Sequence, residues 1–193
     1  MEVISHGIQR EQSRGALAVW LLRGAVGGAL SGTVFAAVAM WYAHSMGASA
    51  SVPLQMISII VKGDEAMLRG TGSMGVGLAI HAALSVLYGA LFGLAMPRLR
   101  SNGTVAIAGT VYGALLFVVN FIYLAPLAFY AFDKANYPFE LFARLVYGLL
   151  VSFAFFGSGI RQGEPVIAVQ GREPRWARDG APRSWAAPRK LRR

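Results

Sequence analysis

The sequence predicts an all-α, polytopic membrane protein: a bundle of four transmembrane helices with a short outer interfacial helix and both termini cytoplasmic. Three observations carry this prediction. Of 193 residues, 55% are hydrophobic and 14% charged, where a soluble domain runs about 45–50% apolar and about 25% charged. The charges leave long gaps, with none between Arg23 and Lys62, between Arg69 and Arg98, or between Arg100 and Asp133. Those present are lopsided, 18 Lys+Arg against 9 Asp+Glu. The chain has no cysteine, which excludes a disulfide scaffold, a zinc finger, an iron–sulfur site and a thiol nucleophile.

A helix needs roughly 20 apolar residues to cross about 30 Å of hydrocarbon. The gaps therefore predict spans near 24–46, 74–97, 103–125 and 140–160. Residues 1–23 form a cytoplasmic N-terminal segment and 161–193 a basic tail. The runs are apolar on every face, which fits helices rather than the alternating strands of a barrel. Four spans place Arg10, Arg14, Arg98, Arg100 and the nine Lys/Arg from Arg161 onward on one side, against Lys62, Arg69 and Lys134 on the other. Thirteen against three is a positive-inside signal that puts both termini in the cytoplasm. Ala48-Ser49-Ala50 resembles a signal-peptide cleavage site, but the apolar run before it exceeds the 7–15 residues of a signal core.

The outer loop 47–73 has content of its own. Ser51-Val52-Pro53 reads as a helix start, and Leu54, Ile57, Ser58 and Val61 recur at helical spacing before Gly63. A helix this short lies in the outer interface or dips into the bundle. The tail from Gln162 is rich in Pro, Gly and Arg and reads as disordered in isolation. Beside a span, its charge fits anionic lipid on the cytoplasmic leaflet better than nucleic acid.

Leu87-Tyr88-Gly89-Ala90-Leu91 in span two is echoed by Val146-Tyr147-Gly148-Leu149-Leu150 in span four. The echo fits a duplicated helical hairpin about an axis along the membrane normal, with His81 opposite Glu140 and Ser85 opposite Arg144. Val111-Tyr112-Gly113-Ala114-Leu115 is a third copy, running the other way. Small residues let helices approach closely in lipid. Gly24, Gly28, Gly32, Gly89, Gly93, Gly109, Gly113 and Gly148 are the candidate packing positions, and they predict a tight, dry cytoplasmic half.

The polar residues cluster in the outer half. His81, Ser85 and Tyr88 share one face of span two, Asn120 lies in the outer third of span three, and Glu140 and Arg144 open span four. These six are the candidates for a ligand pocket, since intramembrane ionisable residues mark functional sites. Each also has a structural role open to it. His81 can glue helices through Ser85, Asn120 or a carbonyl, Asn120 can make an interhelical hydrogen bond, and Arg144 can snorkel beside Glu140. His44, Trp41 and Tyr42 suit an interfacial aromatic belt. No residues stand at the spacing of a metal site, and no nucleotide or cofactor motif occurs. Haem ligation by His44 and His81 is disfavoured by their different depths. A Ser85–His81 pair without an orienting acid is a weak catalytic signal.

The run His81-Ala82-Ala83-Leu84-Ser85-Val86-Leu87-Tyr88-Gly89 resembles the second-helix signature of a family of uncharacterised four-helix bacterial inner-membrane proteins. Pro53, Met56 and Ile57 up to Gly63, and Val111-Tyr112-Gly113, fit the same pattern. The resemblance covers roughly 24–160. It implies a fold and a location in the inner membrane, with no catalytic residues; Arg144 stands where family members often have a histidine. The expected function is non-enzymatic: an accessory subunit of a membrane complex or a homo-oligomer, with a polar pocket in the periplasmic half. The alternative is a small transporter or channel for a solute or ion, and a membrane haem protein or enzyme is the weakest.

Overall fold

The computed structural model describes residues 2–99, 101–129, 131–132 and 135–157, the first thirteen of these as backbone only. The predicted basic tail lies outside the described residues. All regular structure among the described residues is helical.

Helix α1 runs unbroken from Glu2 to Ser45. It does not begin near residue 24 as the charge at Arg23 suggested. Its apolar stretch starts at Gly15, and Trp20 is only 4% exposed. An arginine can sit inside such a stretch because its long side chain reaches out of it. A turn with Gly47 at φ 82° ends α1. There Ala48 N–H reaches the Ala43 carbonyl and Gly47 N–H that of His44, closing the carbonyls left open at the helix end.

Helix α2, Val52–Lys62, starts as its proline predicts, although the Ser51 side chain makes no cap. It is packed rather than peripheral, since Leu54, Ser58 and Ile59 are buried. The Leu54 carbonyl fills the space a side chain would need at Gly77. Ser58 Oγ accepts from Ser73 N–H at 3.0 Å, tying α2 to the start of the next long helix. A single turn, α3 (Glu65–Leu68), intervenes, with an exposed Arg69–Glu65 ion pair. Helix α4, Met74–Gly93, is capped by Ser73, whose Oγ accepts from Val76 N–H.

A 3₁₀ turn, Met96–Arg98, leads to helix α5, Asn102–Phe117. Ser101 and Thr104 form a reciprocal capping box there. The helix then widens into a π-helix over Val118–Leu124 and continues as α6, Ala125–Ala128. Pro126 supplies a cause: it has no N–H to return to the preceding turn. Ala125 N–H instead bonds the Asn120 carbonyl, five residues back. Helix α7, Tyr137–Phe153, opens on Asn136, whose side chain accepts from Phe139 N–H. It thus begins before the expected residue 140 and ends at Phe153, with turns to Gly157.

Three stretches, Gly15–Ser45, Met74–Arg98 and Asn102–Ala128, are long and apolar enough to cross a membrane. The 17 residues of α7 rise about 25 Å, short of a full hydrocarbon core. Many large apolar side chains face outward, Leu22, Leu30, Trp41, Ile107 and Phe142 among them, while Ser31, Ser85 and Ser152 are buried. That distribution is compatible with a lipid surround.

Two antiparallel seams hold the bundle. In the first, α1 meets α4. A Cβ on Gly24 would strike the Gly89 carbonyl, and one on Gly28 the Ser85 carbonyl. One on Gly93 would strike the Trp20 carbonyl, and one on Gly32 the Ser85 side chain. In the second, α5 meets α7. Gly109 abuts the Gly148 carbonyl and Ser152, Gly113 abuts the Arg144 carbonyl, and Gly148 abuts the Gly109 carbonyl. The seams correspond position by position: Gly24, Gly28 and Gly89 occupy the places of Gly109, Gly113 and Gly148. Ser85 and Arg144 offer the equivalent carbonyls, as the Tyr-Gly echo predicts for a duplicated hairpin.

The glycine positions predict a tight end of the bundle near Trp20, and large side chains complete its packing. There the glycine seams flank an aromatic core of Trp20, Phe92 and Phe155 packed with Met96, the Trp20 and Phe92 rings each about 6 Å from that of Phe155 (6.1 and 5.8 Å). Glycines pull the backbones together along the seams. The space between the two hairpins still needs volume, which these rings supply.

Candidate functional site

Between the seams, toward the end where α1 finishes and α7 begins, the helices part around a cavity of about 210 Å³. Five of the six expected pocket residues line it: His81, Ser85 and Tyr88 from α4, Asn120 from the π-helix, and Arg144 from α7. The sixth, Glu140, lines a second cavity of about 220 Å³. The two share six wall residues, among them Phe35, His81, Phe121 and Arg144. Sequence reasoning missed the apolar wall: Phe35, Ile57, Ile60, Phe129 and Phe132. The spacing within α2 placed Ile57 on one face with Leu54 and Ser58 without saying what that face meets, and nothing in a linear reading brings the loop aromatics back over the helices.

Helical geometry explains the cluster on α4. His81, Ser85 and Tyr88 are spaced at i, i+4 and i+7, one face of a helix. His81 Nε2 lies 2.8 Å from the Gly32 carbonyl, and the ring stacks on Phe35 at 5.8 Å. A carbonyl only accepts, so Nε2 is the donor in this bond. Ser85 Oγ donates to the carbonyl of His81 at 2.7 Å and not to its imidazole. The Ser85 bond thus stays within α4, whereas that of His81 crosses to α1.

The three Tyr-Gly copies cross-brace the bundle through their hydroxyls. Tyr147 Oη donates to the Ser85 carbonyl at 2.8 Å. Tyr112 Oη donates to the Tyr88 carbonyl at 2.8 Å. Tyr88 Oη donates in turn to Asn120 Oδ1 at 3.1 Å. Tyr112 and Tyr147 were legible in the echo as tyrosines beside glycines, but not as cross-braces. The π-helix aids this arrangement, because an extra residue per turn shifts which side chains face inward. It turns Asn120 to the cavity wall and buries Phe121. Such widened turns recur at functional sites.

Arg144 is the charged group at the junction of the cavities. Its guanidinium lies 4.3 Å from the Phe35 ring centroid and 5.4 Å from that of Phe121, within cation–π range. Glu140, one turn before it, is 3.8 Å away, and both side chains are 19% exposed. At the mouth of the second cavity, Asn136 Nδ2 donates to Tyr42 Oη at 2.8 Å, and Tyr42 stacks on Phe139 at 3.9 Å. Tyr42 thus joins α1 to α7. His44 and Trp41 are exposed at the end of α1. Neither cavity is lined by His44, so it does not converge with His81. No group of three His, Cys, Asp or Glu that could hold a metal occurs among the described residues.

Comparison with protein-family models, with curated proteins and with solved structures gives no match.

Proposed function

We propose that the chain is a non-enzymatic, multi-pass inner-membrane protein whose work is binding. In this reading a four-span bundle, termini inside, holds a small ligand in the outer half and serves as a subunit of a membrane complex or as a homo-oligomer. One observation carries it: three helices converge six polar or charged side chains, Tyr147 with the five expected ones, on a single cavity otherwise walled by apolar residues. Few precisely placed polar groups in an apolar cavity are the usual make-up of a ligand site. The Ser85 and His81 hydrogen bonds, both spent on backbone carbonyls, support binding over catalysis. The seam between α5 and α7 repeats that between α1 and α4, which supports α7 as a fourth, short span. The resemblance of the His81–Gly89 run to uncharacterised inner-membrane proteins fits the same location, with the tail on anionic lipid.

Two experiments test this reading. Alkaline phosphatase, active only outside the cytoplasm, is expected to be active when fused in the loop at Gly70 and silent when fused at Arg193. Activity at Arg193 would overturn the orientation. Purified in mild detergent, the protein is expected to run well above the 20.6 kDa of one chain after the detergent is subtracted. A bare monomer would remove the assembly part of the proposal.

A small-solute transporter is the second reading, favoured by the π-helix at the meeting point of two cavities. Solute uptake by proteoliposomes, lost in His81→Ala, would select it.

A further inference from the structure

The partners of Arg144 are incomplete. A charge-assisted hydrogen bond to a carboxylate spans about 2.7–2.9 Å, whereas the nearest Glu140 oxygen is 3.8 Å away. The Phe35 and Phe121 rings hold the guanidinium by its faces and leave donors at its edge. Its Nε is buried and has no hydrogen-bond partner. A buried guanidinium is costly unless its donors are met, so this group is set for an acceptor that comes from outside the protein fold. The planar fork of Arg matches a carboxylate. Around it the cavity wall is apolar, with Leu84, Leu116, Leu124, Phe129 and Phe132.

Resting on the reading of this cavity as a ligand pocket, we propose that it binds a short amphipathic carboxylate. The anionic head lies on Arg144 at the junction of the two cavities, and the apolar chain runs along Leu124, Phe129 and Phe132. A volume of about 210 Å³ falls below the roughly 300–1,000 Å³ of sites for drug-sized ligands, which limits the chain to a short one. An ammonium head would face the guanidinium and be repelled. The head competes with Glu140 for Arg144, so the two ends of this ion pair have opposite effects on binding.

The test is thermal unfolding of the full chain in a neutral detergent, with octanoate, octanol or octylammonium added. At about a hundred times its dissociation constant, octanoate is expected to raise the midpoint by roughly 5–10 °C, with octanol and octylammonium giving far less. Glu140→Gln is expected to bind octanoate more tightly and Arg144→Gln to lose the effect, while Arg144→Lys retains part of it. A purely structural ion pair would make the two neutral variants alike. Should Arg144→Gln fail to fold, the three ligands on the wild-type chain and Glu140→Gln still decide. Equal protection by octanol and octanoate would overturn the anionic head and leave the pocket standing. No protection by any of the three, nor by phosphatidylglycerol, would overturn both. Phosphatidylglycerol protecting where octanoate does not would move the anion to a membrane lipid and overturn the short free acid.

Discussion

Gly89→Ala is expected to destabilise the protein sharply, whereas Gly75→Ala, the same change on the same helix, leaves it as stable or slightly more so. A Cβ on Gly89 would overlap the Gly24 carbonyl and stand 2.6 Å from the Gly28 Cα. Those are backbone atoms, which cannot rotate away as a side-chain tip can. Relief requires α1 and α4 to separate and loosens every contact along the seam. Overpacking costs about 1–3 kcal/mol in ordinary cores, and a clash of backbone on backbone belongs at the top of that range. At roughly 2–4 °C per kcal/mol for a chain of this size, the loss is readily seen by tryptophan fluorescence during thermal unfolding in mild detergent. Gly75 has nothing within 4 Å of its would-be Cβ, so alanine there keeps only its helix-propensity gain of up to about 1 kcal/mol. Equal effects at the two sites would show that the close approach does not hold the bundle.

The second large effect is expected at Phe155, which lies just beyond the last turn of α7 and is fully buried against Trp20 and Phe92. Phe→Ala in a packed interior costs about 3–5 kcal/mol. In lipid the transfer part of that cost shrinks, because hydrocarbon is as apolar as the core, and the cavity part remains. Phe155→Ala should therefore lower the midpoint by several degrees. Phe156→Ala, at a site 37% exposed, should stay within about 0.5 kcal/mol of the parent. The pair separates packing between the hairpins from hydrophobicity as such.

The contrast between these positions shows what the linear sequence could disclose. Glycine at i+4 spacing forecasts close helix approach, so the seams from Gly24 to Gly32 and from Gly109 to Gly113 were legible, and so were their partners Gly89 and Gly148. The helical face carrying His81, Ser85 and Tyr88 was legible for the same reason, since periodicity is local. Three features escaped. Arg23 looked like an end because it is charged, yet α1 continues past it and the chain still packs at Trp20. The aromatic plug of Phe92 and Phe155 joins positions far apart in the chain, and an apolar residue gives no sign of which face it will occupy in a segment apolar all round. The π-helix had a signal in Pro126, but proline foretells a disturbed turn without saying whether the helix will break, kink or widen. In the cavity, the polar members stood out against an apolar background, while Phe35, Phe129 and Phe132 had no such contrast.

The repeated seam has a consequence for how the molecule is made. Each seam closes between partners of the same half, α1 with α4 and α5 with α7, so neither half waits on the other to zip its backbones together. The first hairpin holds its seam contacts at Gly24, Gly28, Gly89 and Gly93 once residue 93 has left the ribosome, while Gly27 waits for Val151 and Ala154 of the second half. The aromatic plug and the tyrosine braces, by contrast, draw on both halves, with Phe155 from the last described turn reaching Trp20 near the start. Biogenesis thus divides into two local closures and one late docking step, and the cavity, walled by both halves, comes into being only at the last.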